Sequence, residues 1–247
     1  METAMLRFKY QTFEFGNTDI HLRSLRNRQE YSDNNNIASN MGISSANWSL
    51  FGVIWASEEV LAHIMFKHDI EGKKILEVGC GTALASLILN NRLADITATD
   101  YHPEANNFLL ENIKLNQSRP IPFYRENWDD KSKNIDKYDM IIGSDLLYES
   151  NQADILSKFI DSHAKPDCKI IIVDPGRKFH PIFTKNMQRL GYSSKKNEYP
   201  DIEKLTQPVR GANNFFVMTY QRPPNHRLLI KNDCYYSISD HELPKAN

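Results

Sequence analysis

Ile75-Leu76-Glu77-Val78-Gly79-Cys80-Gly81-Thr82 is the stretch around which this 247-residue chain is organised. Three apolar residues flank one acid, and glycines at alternate positions then break the run. The pattern predicts a buried parallel strand, a tight turn and the start of a helix. The glycines let the backbone turn sharply and lie close to a ligand. Further on, Ile96-Thr97-Ala98-Thr99-Asp100 alternates in polarity and ends on an acid. That acid falls about twenty residues after the glycines, where a doubly wound nucleotide-binding fold places its ribose-holding carboxylate.

The kind of nucleotide follows from charge. A dinucleotide loop needs a third small residue, and that position here is Leu84. Glu77, two residues before Gly79, would repel a pyrophosphate. It suits a cationic ligand such as S-adenosylmethionine, which carries a sulfonium and an α-ammonium group.

Composition narrows the classes. The length allows one large domain, or a domain with an appendage. A hydrophobic content of 40% and a mean hydropathy of -0.54 predict a soluble globular protein. Thirty basic residues against thirty-one acidic ones give a net charge of -1, which argues against a nucleic-acid partner. The first 25 residues hold no apolar core of signal-peptide length, and no run approaches membrane-spanning length. Cys80, Cys168 and Cys234 stand far apart with no C-x-x-C pair, which predicts a cytoplasmic protein without a disulfide framework or zinc site. The histidines lack ligand spacing, so no metal is expected.

In chain order, residues 6 to 25 alternate around Gly16-Asn17 and predict a β-hairpin. Residues 26 to 47 are rich in Asn and Ser and read as a long loop, either a cover for a site or a plain linker. A helix follows, with Ser57 as its cap and Glu58 and Glu59 at its positive end. Just before it, Trp48, Phe51 and Trp55 are either core aromatics or a wall beside a ligand. The remainder alternates between helices and strands. Helices are expected near 83–93, 103–116, 151–164 and 179–190, and strands near 95–100, 121–124, 138–143 and 169–173. Segments 192–198 and 215–220 read as a final antiparallel pair. This order predicts an α/β fold, a doubly wound, mostly parallel seven-strand Rossmann-like sheet with an N-terminal hairpin extension. The expected division is 1–50 for hairpin and loop, 51–222 for the sheet domain, and 223–247 for a tail with a second hairpin.

Ligands of such sheets sit beyond the carboxyl ends of the strands. Glu77, Asp100, Trp128, Asp145 and Arg177 all fall at or just after those ends. Arg177 reads as the ion-pair partner of a nearby acid, with a substrate anion as the alternative. His102 reads as a surface-loop histidine, with a nucleotide pocket as the alternative. Asp145 alone would be a helix cap, and Tyr148 a core aromatic.

Together, Glu77, Gly79, Gly81 and Asp100 resemble the first two motifs of class I S-adenosylmethionine methyltransferases. Asp145-Leu146-Leu147-Tyr148, with Trp55-Ala56-Ser57, is similar to methyltransferase family 16, which contains many protein lysine methyltransferases. The paired prolines of nucleobase amino-methyltransferases are replaced here by two leucines. The resemblance covers roughly residues 50 to 220. It implies that Glu77, Gly79 and Gly81 line the methionine part of the cofactor, closed by Trp55. Asp100 would hold the ribose, and Tyr101 and Trp128 the adenine. Ser144 would contact cofactor or substrate through its backbone, and Asp145 and Tyr148 would face the acceptor nitrogen. The implied reaction is methyl transfer from S-adenosylmethionine, leaving S-adenosylhomocysteine, to a lysine of a protein substrate. A small-molecule N-methyltransferase is the enzyme alternative, and a non-catalytic cofactor- or partner-binding module is the other.

Overall fold

The computed structural model describes residues 6–129, 136–199 and 215–223. The expected tail hairpin lies outside the described residues. Within them, a seven-stranded sheet runs in the order β5-β4-β3-β6-β7-β9-β8. Its strands are β3 (Lys74–Val78), β4 (Asp95–Asp100), β5 (Phe123–Arg125), β6 (Tyr138–Ser144), β7 (Ala164–Asp174), β8 (Ser193–Tyr199) and β9 (Phe215–Gln221). β3 to β7 are parallel, whereas β9 runs antiparallel between β7 and β8. The sheet is thus the mostly parallel, doubly wound one expected. β7 begins five residues earlier than the apolar run 169–173, because Ala164 still pairs with Tyr138 across a register shift.

Strand side chains alternate between two cores, as a pleat requires. Ile75, Met140, Ile142, Ile171 and Val173 face one core with α2 (Ala56–Lys67) and α3 (Leu84–Asn91). Leu76, Ile141, Ile170 and Ile172 face the other, with α5 (Gln152–His163) and α6 (His180–Arg189). Glu77 is out of keeping with its apolar neighbours: an acid at 1% exposure in a core strand. Among the described residues no helix is long and apolar enough to cross a membrane.

The N-terminal hairpin, β1 (Phe8–Phe15) and β2 (Thr18–Leu25), turns through Gly16 at φ +60. Phe13, Phe15, Ile20 and Leu22 bury against Val60, Leu61, Leu84 and Leu87. A fully buried side chain of this size contributes about 1.5–3 kcal/mol. The free edge of β2 is closed by α4 (Ala105–Leu115) and the residue after it. Asn112 Oδ1 accepts from Arg23 N at 2.8 Å, and its amide nitrogen donates to Arg23 O at 3.2 Å. Asn116 repeats the pair on His21, at 2.8 and 2.6 Å.

Residues 26–52 run from the hairpin towards the strands' carboxyl ends. This segment is not wholly irregular. Asp33 is buried and caps a short helix, α1 (Ile37–Asn40), accepting from Ile37 N and Ser39 N. The Tyr101 hydroxyl donates to Met41 O, and the Asn47 amide to Glu149 Oε1. One bond reaches the residue after β4, the other the segment after β6. Helix α2 begins at Ala56 and not after Ser57, because Trp55 takes the extended N-cap conformation.

Candidate active site

The glycine loop is strained and fastened at several points. Gly79 and Gly81 have φ of +61 and +54, and Ala83 follows at +65. A side chain at Gly79 would meet Leu146 Cδ2 at 2.5 Å, so no other residue fits there without displacing Leu146. Cys80 N donates to Thr99 O at 2.9 Å. Gly81 N donates to Asp100 Oδ2 at 2.9 Å and His102 N to Asp100 Oδ1 at 2.8 Å. Asp100 therefore fastens the loop to the end of β4.

Two further carboxylates converge on the N-terminus of α3. Glu77 Oε2 accepts from Ser86 N at 2.9 Å and from the Ser86 hydroxyl. Glu58 Oε1 accepts from the Thr82 hydroxyl at 2.5 Å and from Leu84 N at 3.0 Å. Free N–H groups and the helix dipole favour anions there. Burial works against them. It pushes the Glu77 carboxyl up to about 8, with repulsion from Glu58 and Asp100 adding to it against the Ser86 bonds. Burial likewise raises Glu58 to about 7 and holds Asp100 above the usual carboxylate range. Three acids thus surround this loop and form its floor, and burial holds Glu77 and Glu58 partly protonated near pH 7.

That floor sets a pH dependence. A cation bound beside it favours the ionised carboxylates, so binding releases protons near pH 7 and strengthens as pH rises from about 6 to about 9. S-adenosylmethionine, with its sulfonium, is expected to show this more strongly than uncharged-sulfur S-adenosylhomocysteine. Calorimetry in buffers of differing ionisation enthalpy reads the released protons directly. Zero release at pH 7.5 would refute the electrostatic account. Without ligand the sign is the opposite. The folded chain holds protons that the unfolded chain loses from about 4.5 upward, so these acids make stability fall towards pH 8.

The second half of the site lies between β6 and β7. Asp145 follows β6 in a left-handed conformation, φ +55, with its N–H donating to Val173 O at 3.0 Å. Its Oδ1 accepts from Arg177 Nε at 2.6 Å. Arg177 is held by a turn in which buried Asp174 Oδ1 accepts from Gly176 N and Arg177 N, at 2.7 and 2.6 Å. Burial raises Asp174 to about 6. The ion pair expected of Arg177 is present, and its acid is Asp145. Tyr148 stands at the rim, 38% exposed, its N–H donating to Gln152 Oε1 at 2.9 Å. Burial, and then the charges of Asp100, Glu149 and Asp145, push its phenol up to about 12 against a Gln152 bond.

The remaining candidates lie at the same end of the sheet. Trp128 is half-buried over Gly79, its Cζ2 3.5 Å from where a β-carbon would stand. Ser144 precedes Asp145 and pairs with Val173. Trp55 donates from Nε1 to Leu50 O at 3.1 Å, beside the Phe51 carbonyl that approaches Gly81. Among the described residues no three His, Cys, Asp or Glu side chains converge as metal ligands.

His102 corrects the surface-loop expectation. It is 4% exposed and stacks on Phe51, with ring centroids 3.8 Å apart at 10°, while Tyr31 meets it edge-on. Both partners come from the segment over 50 residues upstream, so no local pattern announces the contact. Nothing local pairs Glu58 with Thr82 either, since 24 residues separate them.

A seven-stranded, mostly parallel sheet with a positive-φ glycine loop after β3 and an acid at the end of β4 is the arrangement of the class I methyltransferase fold. Its donor set fits S-adenosylmethionine, an organic cation with a ribose diol and a planar base. A magnesium protoporphyrin IX methyltransferase from Synechocystis, solved with bound S-adenosylmethionine, superposes with a TM-score of 0.51 over 68% of this chain and 78% of its own, at 16% identity. More specifically, the lysine methyltransferase family model matches residues 34–189, and the chain belongs to that family. It is 28% identical to the zebrafish protein N-lysine methyltransferase METTL21A over 52% of this chain and 63% of the relative. It is 26% identical to the mouse electron transfer flavoprotein beta subunit lysine methyltransferase over 68% and 62%. The match thus spans about three fifths of the length of these relatives.

Proposed function

We propose that this protein is an S-adenosylmethionine-dependent N-methyltransferase acting on a lysine side chain of a protein substrate. The observation that carries the reading is the placement of Asp145 and partly exposed Tyr148 just after β6, the strand beside β3 and its glycine loop, with Leu146 between them reaching Gly79. The bound cofactor supplies an electrophilic methyl group. The chain's own residues supply position and charge. Glu58, Glu77 and Asp100 favour the cationic donor. Asp100 accepts from the ribose with a lone pair that Gly81 N leaves free, and Trp128 and Tyr101 flank the adenine. A lysine with an ordinary pKa of ~10.4 is mostly charged at pH 7, and desolvation beside the cationic sulfonium favours its neutral form. Asp145 offers Oδ2 to that amine while Arg177 holds Oδ1. The Tyr148 ring presents a cation–π face to the charge that develops.

A small acceptor is the second reading, favoured by the Asn47–Glu149 bond, which draws the 26–52 segment towards the mouth. Incubation with cell lysate and methyl-labelled S-adenosylmethionine separates the two. The protein reading expects label in a protein band, recovered as methyl-lysine after acid hydrolysis. Label confined to small metabolites would overturn it. We place the activity in the cytoplasm, on the strength of buried, free Cys80 and Cys168.

A further inference from the structure

The three-acid floor leaves one part of the cofactor without a counter-charge. The amino-acid end of S-adenosylmethionine carries a carboxylate beside its ammonium, and Glu58, Glu77 and Asp100 repel it. The other wall of that end is the turn from Leu50 to Trp55, whose Phe51 carbonyl approaches Gly81. Laid on this wall is Arg28, its guanidinium 4.2 Å from the centre of the Trp55 ring. Among the described residues Arg28 makes no ion pair, whereas Arg7 and Arg177 each have a carboxylate.

Resting on the cofactor reading above, we propose that Arg28 binds the carboxylate of the cofactor's amino-acid end. On this proposal the N-terminal hairpin exists partly to present it. A guanidinium over an aromatic ring still has N–H groups to offer a carboxylate, two of them side by side. Its backbone is fixed on both sides. Arg26 N donates to Arg7 O at the mouth of the hairpin. Gln29 N donates to Asn27 Oδ1 at 2.9 Å, and Glu30 N to Asn27 O at 3.3 Å, closing a turn with Arg28 inside it. Glu30 Oε1 then accepts from both Arg7 N and Arg7 Nε, at 3.0 and 2.8 Å. The turn at 27–30 is thus tied to β1, and β1–β2 packs on α2, which carries Glu58, and on α3, whose Ser86 binds Glu77. Trp55 becomes a platform for the arginine on this account, as well as the wall of the methionine end.

The test is calorimetric titration of the full chain, as wild type, Arg28→Gln and Arg28→Lys, with two probes. S-adenosylhomocysteine carries the carboxylate, and 5′-methylthioadenosine is the same nucleoside thioether without the amino acid. Arg28→Gln is expected to weaken S-adenosylhomocysteine about tenfold or more, the scale of a lost charge-assisted bond. Arg28→Lys should recover part of the loss, and 5′-methylthioadenosine should bind all three forms alike. Unchanged S-adenosylhomocysteine affinity in Arg28→Gln would overturn the proposal. So would equal weakening of both probes, which would make Arg28 a fastener of the loop. A wild-type chain that binds neither probe would overturn the cofactor reading itself, a result distinct from the other two.

Discussion

Asp145→Asn is expected to lower kcat by about two to three orders of magnitude while moving the cofactor Kd by no more than about threefold. The choice of asparagine follows from the backbone. Asp145 sits at φ +55, where asparagine is at ease and alanine carries a strain of about 1 kcal/mol. The amide therefore keeps the turn while it removes the charge. Its oxygen can still accept from Arg177 Nε, but its nitrogen donates where the carboxylate would have accepted from the substrate amine. Tyr148→Phe is the companion, and it should keep most of kcat because the ring face survives. Single-turnover transfer from labelled S-adenosylmethionine, together with calorimetry on each variant, measures both quantities. Wild-type kcat in Asp145→Asn would reduce Asp145 to a strand-end residue that anchors Arg177.

Asp100→Ala should have its largest effect on binding. The substitution orphans Gly81 N and His102 N, and each unpaired buried donor costs about 1–3 kcal/mol. It also removes the acceptor proposed for the ribose. Cofactor affinity is expected to fall about a hundredfold or more, with a lower melting temperature for the free protein. Titration with S-adenosylhomocysteine and a thermal melt read the two effects separately. Affinity within about threefold of wild type would show that the glycine loop is held, and the ligand bound, by other groups.

The fold was legible because its signals are local. Apolar runs such as 138–143, the glycines at 79 and 81, and Pro103 just ahead of α4 each state their element within a few residues. Even the antiparallel return of β8 and β9 could be read from two short alternating segments. What sequence reasoning missed is non-local. Glu58 looked like a first-turn acid complementing a helix dipole, and it does occupy that turn. Its partners Thr82 and Leu84 lie one strand and one loop further on, and nothing near residue 58 points to them. His102 failed for the same reason, since its burial depends on Tyr31 and Phe51. The Arg177 ion pair is legible because groups at neighbouring strand ends are adjacent in any parallel sheet, whatever the distance along the chain.

The two asparagines on α4 set the register of the whole N-terminal ribbon. Residues four apart on a helix are separated by about 6 Å, and residues two apart on a strand by about 6.7 Å, so one spacing reads the other. Asn112 and Asn116 behave as a short artificial strand, offering an acceptor and a donor at each of two positions. A slip of one residue would break all four bonds and turn Phe13 and Phe15 towards water. The same amides blunt a strand edge that would otherwise be open to pairing with a neighbouring chain. Asn112 also donates to Thr82 O at 3.2 Å, so the ruler that aligns the ribbon is in direct contact with the ligand loop.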